Sequence, residues 1–307
     1  MTLPRRSILS VPGHIEKMHH KALGSQADVI MFDLEDSVPL DAKLDARNKI
    51  IASLDHFDLV PAVTAIRINS LDTPFGYEDL LFMVEAVGHK IDSVVIPKVN
   101  DVTDIHFVDR LLDGIEMKFG FAEPVGIEAC IETARGLENI SAIADGSERL
   151  KSLIFGIADY QTSIGTRLTS ISGHGDGKDD IYNGHRWDFA ISRIVMAAKS
   201  RGMMAIDAPY GDYKDTQGLA RSSQLAYNLG CDGKWAIHPV QIAAINHTFS
   251  PTQEDIKRAH MVIEAYKNAG EKKFGAVAVD GHMIDNATVR LAYSVWAKAD
   301  QLNLIKN

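Results

Sequence analysis

Asp28-Val29-Ile30-Met31-Phe32-Asp33-Leu34-Glu35-Asp36 is a β-rich apolar run that ends in a cluster of acids. Comparable runs cover 7–11, 63–68, 93–97, 124–131, 152–157, 203–208 and 233–238. Segments of helical period lie between most of them, and this alternation is the signature of a parallel α/β fold. Eight strands spread evenly over about 240 residues match the usual size of a single (β/α)8 TIM barrel.

The intervening segments agree. Ile15, Met18, Ala22 and Leu23 recur at helical spacing before Gly24, a candidate C-terminal cap; Val102, Ile105, Val108, Leu112 and Ile115 form a second apolar stripe. The barrel pattern ends near Phe249, so we expect a catalytic barrel over residues 1–249 and a C-terminal extension over 250–307. Ser250-Pro251-Thr252-Gln253-Glu254 reads as a helix start. A loop from Gly270 to Asp285 and a final amphipathic helix with Val289, Leu291, Val295 and Leu302 follow. A glycine-rich, charged loop between two helices suits a lid.

At 307 residues, with 46% hydrophobic and 24% charged residues, the chain can bury one large core without metals or disulfides. A net charge of -9 and a pI near 5.7 argue against nucleic acid or an anionic membrane as the main partner, because both need a basic footprint. Cys130 and Cys231 are far apart and in no metal-ligand spacing, which fits a reducing compartment. The apolar stretch after Arg5 and Arg6 is too short for a signal peptide. A cytoplasmic enzyme is expected. The glycine-rich segment 172–185 fails as a phosphate loop: Ser172 stands where a glycine is needed, and Lys178 is followed by Asp179.

Barrel enzymes place their chemistry at the C-terminal ends of the strands. Strand two runs into Asp33, Glu35 and Asp36, strand three into Arg67, strand five into Glu132 and strand six into Asp159. Acids on adjacent strand ends repel one another unless a proton or a cation intervenes, which suggests a hard, oxygen-ligated metal. Glu132 and Asp159 either ligate that metal or open the helices that follow them. Arg67 either stabilises negative charge at the barrel mouth or makes a structural ion pair with Glu35 or Asp36. Lys98 offers a Schiff-base nucleophile or a partner for the acids. His238 reads as a structural histidine in preference to an acid or base.

In order along the chain stand Arg6-Ser7 with Val11-Pro12-Gly13, then Phe32-Asp33-Leu34-Glu35-Asp36-Ser37-Val38, Arg67-Ile68-Asn69 and Ile96-Pro97-Lys98-Val99. Ile131-Glu132-Thr133-Ala134, Phe155-Gly156-Ile157-Ala158-Asp159-Tyr160 and Lys234-Trp235-Ala236-Ile237-His238-Pro239 complete the series. Together these motifs resemble the malyl-CoA lyase and citrate lyase β-subunit family, also described as HpcH/HpaI aldolases. Ala205 to Asp212 and the tail from Val279 to Asp285 are more similar to the malyl-CoA and β-methylmalyl-CoA lyases than to the citrate lyase subunits.

The resemblance implies Mg2+, with Mn2+ as an alternative, on Glu132 and Asp159. It implies Arg67 at the reacting thioester and Arg6 and Lys21 near the coenzyme A phosphates; from the strand-end pattern itself, Asp33, Glu35 and Asp36 are expected to support the metal and Arg67, with Glu35 and Asp36 counted in the catalytic set. Asp285 on the lid would be the catalytic acid or base, reaching a neighbouring subunit in a homo-oligomer, a trimer or hexamer. The implied substrates are an acyl-CoA thioester and glyoxylate. Thioester hydrolysis, citramalyl-CoA cleavage and a subunit working with an acyl-carrier protein are the alternatives. Pro12-Gly13 is followed by His14-Ile15-Glu16, a departure from the family pattern at the coenzyme A contact, and Ala208 and Tyr210 depart in the acyl pocket.

Overall fold

The computed structural model describes residues 4–56, 63–166, 186–270, 277–279 and 282–305. Segment 172–185 lies outside them. The chain divides into two compact units, Arg5–Asn246 and a second formed by His247–Asn307 with Met1–Pro4.

The first unit is a closed barrel of eight parallel strands in sequential order. They are β1 (Ser7–Pro12), β2 (Val29–Asp33), β3 (Val63–Arg67), β4 (Ser93–Ile96), β5 (Gly126–Ile131), β6 (Leu150–Phe155), β7 (Met204–Asp207) and β8 (Gly233–Ala236). Each falls within or against its expected run. Around them stand α1 (Glu16–Leu23), α2 (Lys43–His56), α3 (Pro74–Val87), α4 (Val102–Phe119), α5 (Ala134–Glu138), α6 (Ile140–Ala144), α7 (Ile157–Ser163), α8 (Asp188–Ser200) and α9 (Thr216–Leu229), before α10 (Ile242–Thr248). The stripe from Val102 to Ile115 is the buried face of α4.

Side chains alternate across a strand, so every second residue enters the barrel. Ile8, Val29, Met31, Val63, Ala65, Val95, Cys130, Ile154, Ile206 and Trp235 form that interior cluster. Below it, Glu128 accepts hydrogen bonds from Arg5, Ser93 and Ser152, closing the N-terminal end with a buried charge whose hydrogen bonds are made. Continued upward, the same alternation carries Asp33, Arg67 and Glu132 to the C-terminal mouth.

In the second unit α11 (Gln253–Gly270) packs on α12 (Asn286–Gln301), with Ala259, Val262, Ile263, Ile284, Val289 and Ala292 between them. The loop expected from Gly270 to Asp285 contains an antiparallel hairpin, β9 (Val277–Val279) with β10 (His282–Ile284). Among the described residues no helix is long and apolar enough to cross a membrane.

Candidate active site

Strand register assembles the mouth. Asp33 is the backbone partner of Arg67, so the ends of β2 and β3 bring carboxylate and guanidinium side by side. Arg67 donates from Nε and Nη2 to the two oxygens of Asp33, each at 2.7 Å, and Asp33 also accepts from the amides of Glu35 and Ser37. Burial works against ionising Asp33, but the guanidinium and these hydrogen bonds outweigh it and hold its pKa at about 2. The remaining edge of Arg67 lies 2.8 Å from Glu35 Oε2, an ion contact without hydrogen-bond alignment, which leaves that buried oxygen without a true donor. The face of the guanidinium covers the Trp235 ring at 5.2 Å. Arg67 is therefore both an ion-pair residue and a mouth residue, and its first partner is Asp33.

Glu132 is 2% exposed at the end of β5, and its Oε1 accepts from the Lys98 amide at 2.6 Å. Burial, then the charges of Glu35 and Asp159, push its pKa up to about 7 against the opposing pull of Arg67 and Lys98. Asp159 sits in the first turn of α7, more exposed, 3.6 Å from the Lys98 ammonium. The Lys98 ammonium also binds Glu35 Oε1 at 2.5 Å. Burial disfavours its charge, but Glu35, Glu132 and Asp36 raise its pKa overall, and the ammonium sits as a partner of the acids. Lys43 donates to the carbonyls of Leu34 and Glu35 and so fixes the loop that carries the acids.

Ser10, Asp36, Arg67, Glu132, Gly156, Ile157, Asp159, Pro209, Trp235 and Ile237 are among the residues lining one open cleft of ≈ 540 Å³ at this mouth. Asp36, Arg67, Glu132 and Asp159 supply its charged lining, and Ile157, Pro209, Trp235 and Ile237 its apolar lining. The Trp235 indole N–H is buried and has no acceptor among the described residues. Asp36 stays exposed, 3.7 Å from both Arg67 and Lys98.

Other expected site residues lie elsewhere. Arg6 precedes β1 at the N-terminal end of the barrel, does not line the cleft, and donates to Asp28 at 2.8 and 2.7 Å. Lys21 is exposed in the last turn of α1 and does not line the cleft. Asp285, in the second unit, caps α12 by accepting from the Thr288 amide at 2.8 Å and hydroxyl at 2.9 Å. His238 is structural, its Nδ1 accepting from the Val240 amide and its ring stacked on Tyr213 at 4.6 Å. The importance of Asp33 was underread in the sequence, and the contact of Trp235 with Arg67 was missed; period-two counting along β2 and β8 is the signal that points both inward.

The mouth of a parallel barrel thus gathers the carboxylates of Asp33, Glu35, Glu132 and Asp159 around the Arg67 guanidinium and the Lys98 ammonium. The chain belongs to the HpcH/HpaI aldolase/citrate lyase family, whose model matches residues 6–239. It is 34% identical to an L-malyl-CoA/β-methylmalyl-CoA lyase of Cereibacter sphaeroides, over 98% of this chain and 96% of that one. It is also 34% identical to a citrate lyase subunit β of Leuconostoc mesenteroides subsp. cremoris, over 98% and 95%. Among solved structures, CitE of Mycobacterium tuberculosis in complex with magnesium, acetoacetate and coenzyme A is 25% identical and superposes with a TM-score of 0.76, covering 97% of this chain and 99% of that one.

The mouth fits such a metal. Glu132 is a carboxylate whose pKa is raised by burial and then by the charges of Glu35 and Asp159, an environment that a cation relieves. Among the described residues no group of three or more His, Cys, Asp and Glu is arranged as a metal cage. Magnesium needs only one or two protein carboxylates, with waters and substrate oxygens completing its shell.

Proposed function

We propose that the chain is a magnesium-dependent acyl-CoA lyase that cleaves malyl-CoA, β-methylmalyl-CoA or both to glyoxylate and acetyl-CoA or propionyl-CoA, or runs the condensation. The observation that carries this reading is one cleft lined by Glu132, Asp159 and Arg67, on a chain similar over nearly all its length to a lyase of that name. Glu132 and Asp159 would hold the ion, for which Mn2+ can substitute; when bound, it supplies Lewis acidity toward the oxygens of the glyoxylate half. Arg67 faces the thioester oxygen and stabilises the enolate charge that develops as the carbon–carbon bond breaks. Asp33 and Glu35 keep that guanidinium in place. The apolar side formed by Trp235, Ile157 and Ile237 limits water around the enolate.

Asp285 supplies the proton relay in this reading. It gives a proton to the enolate carbon in cleavage and takes one from the acyl carbon in condensation. It acts on a neighbouring subunit of a homo-oligomer.

The test is purified protein with malyl-CoA, with and without Mg2+. Glyoxylate and acetyl-CoA are expected in equal amounts, and activity should vanish in EDTA and in Glu132→Gln. Free malate without glyoxylate marks a thioesterase; turnover only with an acyl-carrier protein marks a citrate-lyase subunit. Either result overturns the reading.

A further inference from the structure

On β4, Ser93 and Val95 face the barrel interior, Ser93 on Glu128 and Val95 in the apolar cluster, while Val94 and Ile96 are buried on the other face. Continued alternation carries Lys98 outward with Val94 and Ile96. The structure places it otherwise. Lys98 has φ 51, one of two non-glycine residues with positive φ among those described, and this left-handed turn brings its side chain into the mouth. There the ammonium is 2.5 Å from Glu35 Oε1 and 3.6 Å from Asp159 Oδ2, while the amide of the same residue donates to Glu132 Oε1 at 2.6 Å.

Glycine adopts this backbone without strain but brings no charge. A lysine in a conformation suited to glycine is explained by its side chain, and strained backbone at a functional site argues from geometry to role. We infer that Lys98 is a positioning residue of the lyase site: its left-handed backbone lets one residue hold Glu132 by the amide and Glu35 by the ammonium. It thereby ties the ends of β2, β4 and β5 together and holds Glu35 against Arg67. The inference rests on the lyase reading above and adds a role that the carboxylates and Arg67 do not fill.

The experiment compares full-length Lys98→Gly, Lys98→Met and Lys98→Arg with wild type. It measures kcat and KM for malyl-CoA, Mn2+ affinity of the substrate-free protein by electron paramagnetic resonance, and Tm. Lys98→Gly keeps the amide and relieves the strain, so Mn2+ affinity should stay within about threefold of wild type. Its kcat should fall about 10²-fold with KM little changed, the cost of misplacing a reacting group by an ångström. Lys98→Met should show the same kcat loss, and Lys98→Arg should recover much of it. If Lys98→Met does not fold, Lys98→Gly still decides.

Two results overturn the inference. One is turnover by Lys98→Gly within about threefold of wild type. The other is Mn2+ affinity that falls in step with kcat in Lys98→Gly, with no recovery in Lys98→Arg, which marks a scaffold residue. A wild-type protein that releases no glyoxylate overturns the lyase reading instead, so the two failures are separable.

Discussion

Two N–H groups of the Arg67 guanidinium, on Nε and Nη2, go to Asp33 and its Nη1 lies against Glu35, while its face covers Trp235. An ammonium cannot reproduce that fork. Arg67→Lys should therefore lower kcat by roughly 10²–10³, the usual cost of one oxyanion donor, and should lower Tm as well because Asp33 loses a two-point partner. Near-normal turnover of Arg67→Lys would remove Arg67 from the chemistry. Gly156 is equally constrained, by space. A Cβ built there would meet Glu132 Oε2 at 2.0 Å and its Cβ at 2.4 Å, so Gly156→Ala must displace the carboxylate. We expect weaker Mn2+ binding, by about tenfold or more, with the barrel intact by circular dichroism; unchanged affinity would show that Glu132 does not hold the ion.

At the scale of elements, helix ends that share the barrel with the cleft but face away from it separate stability from activity. α4 ends at Gly120, φ 68, whose amide returns to Glu116 O at 2.7 Å. That terminus leads toward the start of β5, at the end of the barrel opposite the mouth. Gly120→Ala forces a Cβ into left-handed backbone, so we expect a loss of about 1 kcal/mol in urea unfolding with kcat unchanged. A matching loss of kcat would mean that the two ends of the barrel are coupled. Elements were also where sequence reading worked best and where it slipped. The eight apolar runs and the α4 stripe are long enough to carry their period, whereas three-residue strands such as β9 and β10 carry almost none.

At the scale of the whole molecule the prediction concerns Asp285. We propose that Asp285 acts on a neighbouring barrel, and hybrids test it. Asp285→Ala and Glu132→Ala proteins, each inactive alone, are mixed and reassembled. Recovery toward about a quarter of wild-type activity is expected if the lid acts in trans, since random pairing restores both groups to one site in that share of interfaces. No recovery confines Asp285 to its own barrel or to capping α12.

The sequence alone determined the barrel, its strand count and the acids at its mouth, because burial on both faces forces unbroken apolar runs and those runs stop where side chains meet solvent. Glu132, Asp159 and Arg67 were legible for the same reason. Pairing was not. That Asp33 is the first partner of Arg67 follows from the register of β2 on β3, that Arg6 donates to Asp28 and does not line the cleft follows from which end of β1 it occupies, and that Lys98 turns inward follows from one positive φ. Each depends on distances between residues remote in the chain or on a single dihedral, quantities that a period in the sequence does not encode and that only the closed barrel decides.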